Sequence, residues 1–177
     1  MTTLATIGYE GADLQEFIAA LQEAHIECVI DVRELPLSRK RGFSKTALRK
    51  ALESAGIEYV HLKALGDPKP GRDAARAGRF DEFNKIYRKH LSTSDAQKAL
   101  AHAGVISLTA KSCLLCYERE PKHCHRKVVA DSLALSYNAD VRHLFVENVV
   151  GISGRRRERG VSIGAGQGGA SAESSVW

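Results

Sequence analysis

The segment ECVIDVRELP constrains the fold more than any other part of the chain. It runs almost without interruption through apolar side chains and then stops in charge and a proline, the pattern of a strand covered on both faces. Such strands belong to parallel sheets sandwiched between helices. Similar runs recur at LATIGYEG, IEYVHL, CLLCYE and DVRHLFV, and segments of helical period lie between them. Asp13 starts the first helix, with Glu16 three residues on in a reciprocal capping arrangement and Leu14, Phe17, Ile18 and Leu21 on one face. Ser44 is placed to cap a second, with Leu48, Ala51, Leu52 and Ala55 in its stripe and Gly56 as its left-handed stop. Phe80, Phe83, Tyr87 and Leu91 mark a third. Ser94 with Gln97 caps a fourth running to about Lys111, although its GVISLT portion also fits a strand. Pro121 opens a fifth that runs to about Tyr137. The alternation predicts an α/β fold: a single three-layer domain over residues 1–150 with a mostly parallel central sheet of about five strands, Rossmann-like. Lys63 to Arg79, rich in Gly, Pro and basic residues, reads as a long loop or flap with little core of its own.

A chain of 177 residues is long enough to bury one sizeable core. No stretch approaches the ~18 consecutive apolar residues of a membrane span, and the first twenty residues carry Glu10, Asp13 and Glu16 in place of a secretory leader, so the expected location is cytoplasmic, with no membrane partner. In that reducing compartment the four cysteines, Cys28, Cys113, Cys116 and Cys124, are expected as free thiols, metal ligands or catalytic groups. The net charge is +5, and +3 remains once Arg155, Arg156, Arg157, Arg159, Glu158 and Glu173 of the last segment are set aside. So mild a bias permits an anionic partner without requiring one. Residues 151–177 are too poor in apolar side chains to repay ordering and read as a disordered tail.

Ligands of open parallel sheets bind beyond the carboxyl ends of the strands, which directs attention to four exits. They are Gly8-Tyr9-Glu10, Asp31-Val32-Arg33, Cys116-Tyr117-Glu118 and the helix start His123-Cys124-His125-Arg126. Side chains alternate along a strand, so Asp31 shares a face with Arg33 and Cys116 shares one with Glu118. Unpaired amides at the start of the helix after Pro121 favour negative charge, and Arg126 is suited to grip a phosphate or carboxylate. The resulting expectation is a cleft shared by both clusters. In it Asp31, Cys116, Glu118 and Cys124 are the catalytic candidates, and Arg33, Ser38, His125 and Arg126 bind substrate or anion, with no metal. The competing structural reading makes Asp31, Glu118, Arg33 and Arg126 a buried ion-pair network. A third reading makes Cys116, Cys124 and one of His123 or His125 an open three-ligand zinc site. Cys113 would complete a C-x2-C-x7-C-x-H set with Cys116, Cys124 and His125 only if the strand begins later, since residues three apart on a strand face opposite sides. Tyr9, Tyr59 and His61 are expected to be packing residues with one satisfied polar atom.

With TIGYEG, IDVRELPLSR, GIEYVHLKALGD and LLCYEREPKHCHRKVVAD in view, the chain resembles the bacterial and archaeal family called domain of unknown function 488, over about residues 4 to 146. The resemblance rests on Asp31-Val32-Arg33 with Pro36 and Ser38, Leu65-Gly66, and Leu115-Cys116-Tyr117-Glu118 followed by Cys124-His125-Arg126. It implies an α/β fold and a site built from those segments, but it supplies neither a reaction nor a cofactor. The function expected from the residues is a hydrolase or transferase acting on a phosphate-bearing small molecule or nucleic acid. The alternative is a non-catalytic protein that binds nucleic acid or metal.

Overall fold

The computed structural model describes residues 3–147. The calls on the tail, including Arg155 to Arg159 and Trp177, lie outside the described residues. Five strands form at the apolar runs: β1 Thr3–Gly8, β2 Cys28–Asp31, β3 Glu58–His61, β4 Ser112–Cys116 and β5 Asp140–Leu144. They pair in parallel in the order β3-β2-β4-β1-β5. Burial follows position in the sheet. β2 and β4, flanked on both sides, are buried at every residue, while β5 at the edge alternates exposed with partly buried positions before ending on the buried Leu144. No helix among the described residues is long and apolar enough to cross a membrane.

Among the described residues six helices, α1 Leu14–Glu23, α2 Lys45–Ser54, α3 Lys69–Arg76, α4 Phe80–Leu91, α5 Ser94–Thr109 and α6 His125–Tyr137, divide between the two faces of the sheet. Phe17 and Leu21 of α1 and Leu48 and Leu52 of α2 pack with Ile7, Val29 and Leu115 in one core. Ala74, Phe83, Tyr87, Ala103, Val129 and Leu133, from α3 to α6, pack with Leu4, Ile30 and Leu114 in the other. From β1 the chain crosses to β2 and β3 through α1 and α2, then returns to β4 and β5 through α3 to α6. The exits of β2 and β4 are left side by side at the middle of the carboxyl edge.

Local chemistry accounts for some of the element ends. Asp13 and Glu16 make the expected capping box on α1, and Gly56 takes φ +75° just beyond α2. Ser44 precedes α2 with extended backbone but makes no side-chain cap bond. Two expectations are corrected. The cap of α5 is Thr93, whose Oγ1 accepts from Ala96, while Gln97 turns back to the Leu91 carbonyl. The helix expected to run to about Lys111 does include GVISLT, with Ala103, Gly104 and Ser107 buried on a helical spacing inside α5. Lys63 to Arg79 is not a bare loop, since it contains a 3₁₀ turn at Lys63–Leu65 and all of α3. That helix buries only Gly71 and Ala74, too little apolar surface to announce itself in a periodicity.

Candidate metal centre

Strand register decides which polar residues can meet. Asp31 on β2 lies opposite Leu115 on β4, and residues in register point to the same side. Leu115 belongs to the core under α1 and α2, whereas Leu114 belongs to the core under α3 to α6. Asp31 and Arg33 therefore point toward α1 and α2, and Cys116 and Glu118 point toward α3 to α6. The two clusters occupy adjacent strand ends but opposite faces, so the single shared cleft is not formed.

On the α1/α2 face the charges are closed on themselves. Arg33 Nε and Nη2 donate to the two oxygens of Asp31 at 2.8 and 2.6 Å, its Nη1 donates to Tyr9 Oη at 3.1 Å and the Phe43 carbonyl at 2.9 Å, and Tyr59 Oη donates to Asp31 at 2.5 Å. Burial disfavours the Arg33 charge, but hydrogen bonding and charge pairing with Asp31 outweigh it and raise its pKa. Burial, helped by the Asp31 charge, also holds the Tyr59 hydroxyl protonated. Tyr9 and Tyr59 are buried with their hydroxyls engaged, and His61 Nε2 donates to the Arg33 carbonyl at 2.8 Å. Ser38 stands apart from both clusters, accepting from the Lys40 amide at 3.1 Å in a local turn.

On the opposite face the loop after β4 gathers a different set. Pro121–His123 is a separate 3₁₀ turn and Cys124 is the residue that precedes α6, so Cys124 and His125 are swung back over the end of β4. Gly8 permits this close approach: a Cβ there would sit 1.8 Å from the Glu118 carbonyl oxygen. Glu118 Oε2 accepts from Cys116 Sγ at 3.0 Å and from Cys124 Sγ at 3.1 Å. Nδ1 of His125 lies 3.7 Å from Cys116 Sγ and 4.0 Å from Cys124 Sγ. The four candidate ligand atoms of Cys116, Glu118, Cys124 and His125 all fall within 4.8 Å of one another. A tetrahedron with metal–ligand bonds of about 2.0–2.3 Å has edges of about 3.3–3.8 Å, close to these separations.

Histidine orientation adds to this. His125 Nε2 is 2.8 Å from the Val32 carbonyl, and a carbonyl can only accept, so the proton is on Nε2. Nδ1 is the ring nitrogen nearer to Cys116 Sγ, at 3.7 Å against 3.9 Å for Nε2, and it also lies 4.0 Å from Cys124 Sγ. Ligating histidines characteristically donate their other N–H to a backbone carbonyl or carboxylate, which fixes the ring. Burial raises both the Cys116 and the Cys124 thiol, which does not favour either as a free, activated nucleophile. Burial works against charge on His125 and on Glu118 too. Cys124 and Glu118 nevertheless push the imidazole up to about 9, while the Cys116 and Cys124 thiols and His125 hold the Glu118 carboxyl below its usual range.

Arg126 is not available to a ligand. It is 0 % exposed, and its guanidinium donates to the Glu118 carbonyl, to the Arg119 carbonyl at 2.8 Å and to Thr6 Oγ1 at 3.4 Å. It braces the loop that carries Glu118 and does not face Arg33. Of the remaining cysteines, Cys113 points into the α1/α2 core and Cys28 into the other, where burial raises Cys113 and pushes Cys28 up to about 12.

Sequence reasoning missed Asp67. It is 6 % exposed, and its Oδ1 is the one buried side-chain nitrogen or oxygen among the described residues without a hydrogen-bond partner. Burial pushes its carboxyl up to about 6 against the pull of His125 and Arg72. The turn composition Gly66-Asp67-Pro68 explains an aspartate there without any burial, so nothing in the local sequence singled it out.

A family model, that of Domain of unknown function DUF488, matches residues 13–133, a span that takes in both strand exits, α3 and the turn into α6 and leaves β1 and β5 outside. No curated protein and no solved structure matches the chain.

Proposed function

The chain belongs to the DUF488 family, and from its site we propose that it is a zinc-class metalloprotein. Cys116, Cys124 and His125 hold the ion, and Glu118 is the fourth, exchangeable group. The observation that carries this reading is the His125 ring, whose Nε2–H is given to the Val32 carbonyl while Nδ1 lies 3.7 and 4.0 Å from the two sulfurs, in a group of four residues whose candidate ligand atoms all fall within 4.8 Å of one another. Thiolate and imidazole donors together suit zinc and its neighbours and disfavour magnesium or calcium. Both sulfurs and the imidazole are buried, whereas Glu118 is only partly so, which makes it the ligand that can yield its position.

The reaction class that fits is hydrolysis. A zinc-class ion supplies polarisation of a bound oxygen. Within the protein, Cys116, Cys124 and His125 fix the geometry, Val32 orients the imidazole, and Glu118 is the group that accepts or returns a proton. Lys63 and Lys122, exposed on the turns that lead toward Asp67 and Cys124, favour an anionic substrate, a phosphate-bearing small molecule or nucleic acid. Arg33 and Arg126 are not assigned to that substrate, because their donors are engaged within the protein.

Cobalt titration of the full chain tests the metal reading. We expect a saturable near-ultraviolet thiolate-to-cobalt band, stoichiometric with protein, that is lost in Cys116→Ser and in Cys124→Ser. A weak absorption that never saturates and is indifferent to these substitutions would overturn it.

A further inference from the structure

Resting on the metal reading, the structure points to a second functional group at the same face: we propose that Asp67 is the hydrogen-bond acceptor for the molecule occupying the ion's open position. It selects ligands that present an N–H or O–H there, such as water, a hydroxyl, an amide or a hydroxamate, over anions that have only lone pairs.

The argument begins with an unmet demand. A carboxylate oxygen buried to this degree is normally hydrogen-bonded, and the exceptions call for an explanation. Oδ1 of Asp67 has no partner within the protein. The nearby Arg72 does not supply one, because its Nη1 donates to the Glu34 carboxylate and to the Asp67 backbone carbonyl. Room for the carboxylate is made by Gly71, where a Cβ would lie 2.1 Å from Oδ1. The position is connected to the metal cluster by Tyr87, whose hydroxyl donates at 2.6 Å to the carbonyl of Leu65, two residues before Asp67, and whose ring lies 5.3 Å from that of His125. His125, Arg72, Glu118 and His90 are the charged or titratable groups that act on it.

A purely structural centre, with all four protein ligands in place, has no use for a further buried, unpaired carboxylate on which His125 and Glu118 act. A site that receives an outside ligand does. An acceptor already fixed by packing rewards a ligand that carries a donor hydrogen and repels one that brings negative charge and none.

The test uses the cobalt-loaded full chain and two probes read through the visible cobalt bands, acetohydroxamate, which carries an N–H, and azide, which has no hydrogen. In wild type both bind and acetohydroxamate is preferred. In Asp67→Asn we expect acetohydroxamate to weaken and azide to strengthen, each by about tenfold. Gly71→Ala, which keeps the charge but displaces the oxygen, should weaken acetohydroxamate without strengthening azide to the same degree. It also keeps the test open if Asp67→Asn folds poorly. Opposite movements of the two probes are the signature of the selective acceptor. Parallel movement, or none, would overturn it. So would a wild type that shows the thiolate-to-cobalt band yet binds neither probe. Absence of the thiolate-to-cobalt band itself removes the metal reading as well, so the two failures are distinguishable.

Discussion

Two polar clusters stand at neighbouring strand ends on opposite faces of the sheet, and they are satisfied in opposite ways. Beneath α1 and α2, Asp31 and Arg33 neutralise one another, and Tyr9, Tyr59 and the Phe43 carbonyl take up the remaining hydrogen-bonding capacity. Beneath α3 to α6, Cys116, Cys124, Glu118 and His125 bring four candidate ligand atoms within 4.8 Å of one another, with both thiols donating to Glu118. As ligands, two thiolates and a carboxylate gathered there would need a cation. Burial does not separate the two clusters, because both are largely buried. What separates them is the donor set: the first face pairs a cation with an anion, whereas the second holds two thiols, an imidazole and a carboxylate with no arginine or lysine among them.

The largest effect should come from breaking the self-sufficient cluster. Asp31→Ala leaves the Arg33 guanidinium buried without its counter-charge, and removing one partner of such a pair costs about 3–5 kcal/mol. Urea unfolding should show that loss, while the folded fraction still binds cobalt with an unaltered thiolate-to-cobalt band. A loss below about 1 kcal/mol, within the range of an exposed pair, would show that the pair is not a structural staple. Loss of cobalt binding by folded protein would show that the faces are not independent.

The second cluster should respond to pH where the first does not. Burial raises both thiols, and Nδ1 of His125, a group pushed up to about 9, must also be free of a proton to bind metal. Metal binding therefore releases protons, and affinity must fall as pH falls, by at least about tenfold per pH unit below neutrality. Competition titrations with a chromophoric chelator at several pH values measure this. An affinity indifferent to pH would contradict a thiolate-based site.

A smaller change sharpens the first half of the comparison. Tyr59→Phe removes one donor to Asp31 but leaves both Arg33 bonds in place, so it should cost about 1–2 kcal/mol and leave metal binding untouched. Thermal and urea unfolding should agree on that figure. A cost as large as that of Asp31→Ala would mean that the tyrosine, and not the arginine, is the aspartate's principal partner.

Much of the architecture could be read locally. Buried strands such as CVID and SCLLC announce themselves as apolar runs, and Asp13 with Glu16 announces a helix start. Residues 63–79 look like a loop in the sequence because α3 packs through a glycine and an alanine, which leave no apolar stripe. The site was legible in its parts, since the alternation that paired Cys116 with Glu118 and excluded Cys113 is a property of any strand. Its division between two faces was not, because that depends on the register of β2 against β4, a contact between segments more than eighty residues apart. Arg126 misled for a related reason. The start of a helix usually faces solvent or a ligand, but here the loop returning over Gly8 encloses the side chain and offers it two carbonyls.

The central claim is that Cys116, Cys124 and His125 form a metal site with Glu118 beside them, and X-ray absorption of the zinc-loaded full chain at the zinc edge reads that ligand set directly. The account predicts two sulfurs at about 2.3 Å and two nitrogen or oxygen neighbours at about 2.0–2.2 Å, with one sulfur lost in Cys116→Ser and one lost in Cys124→Ser. A shell containing only nitrogen and oxygen, or one unchanged by either substitution, would contradict it.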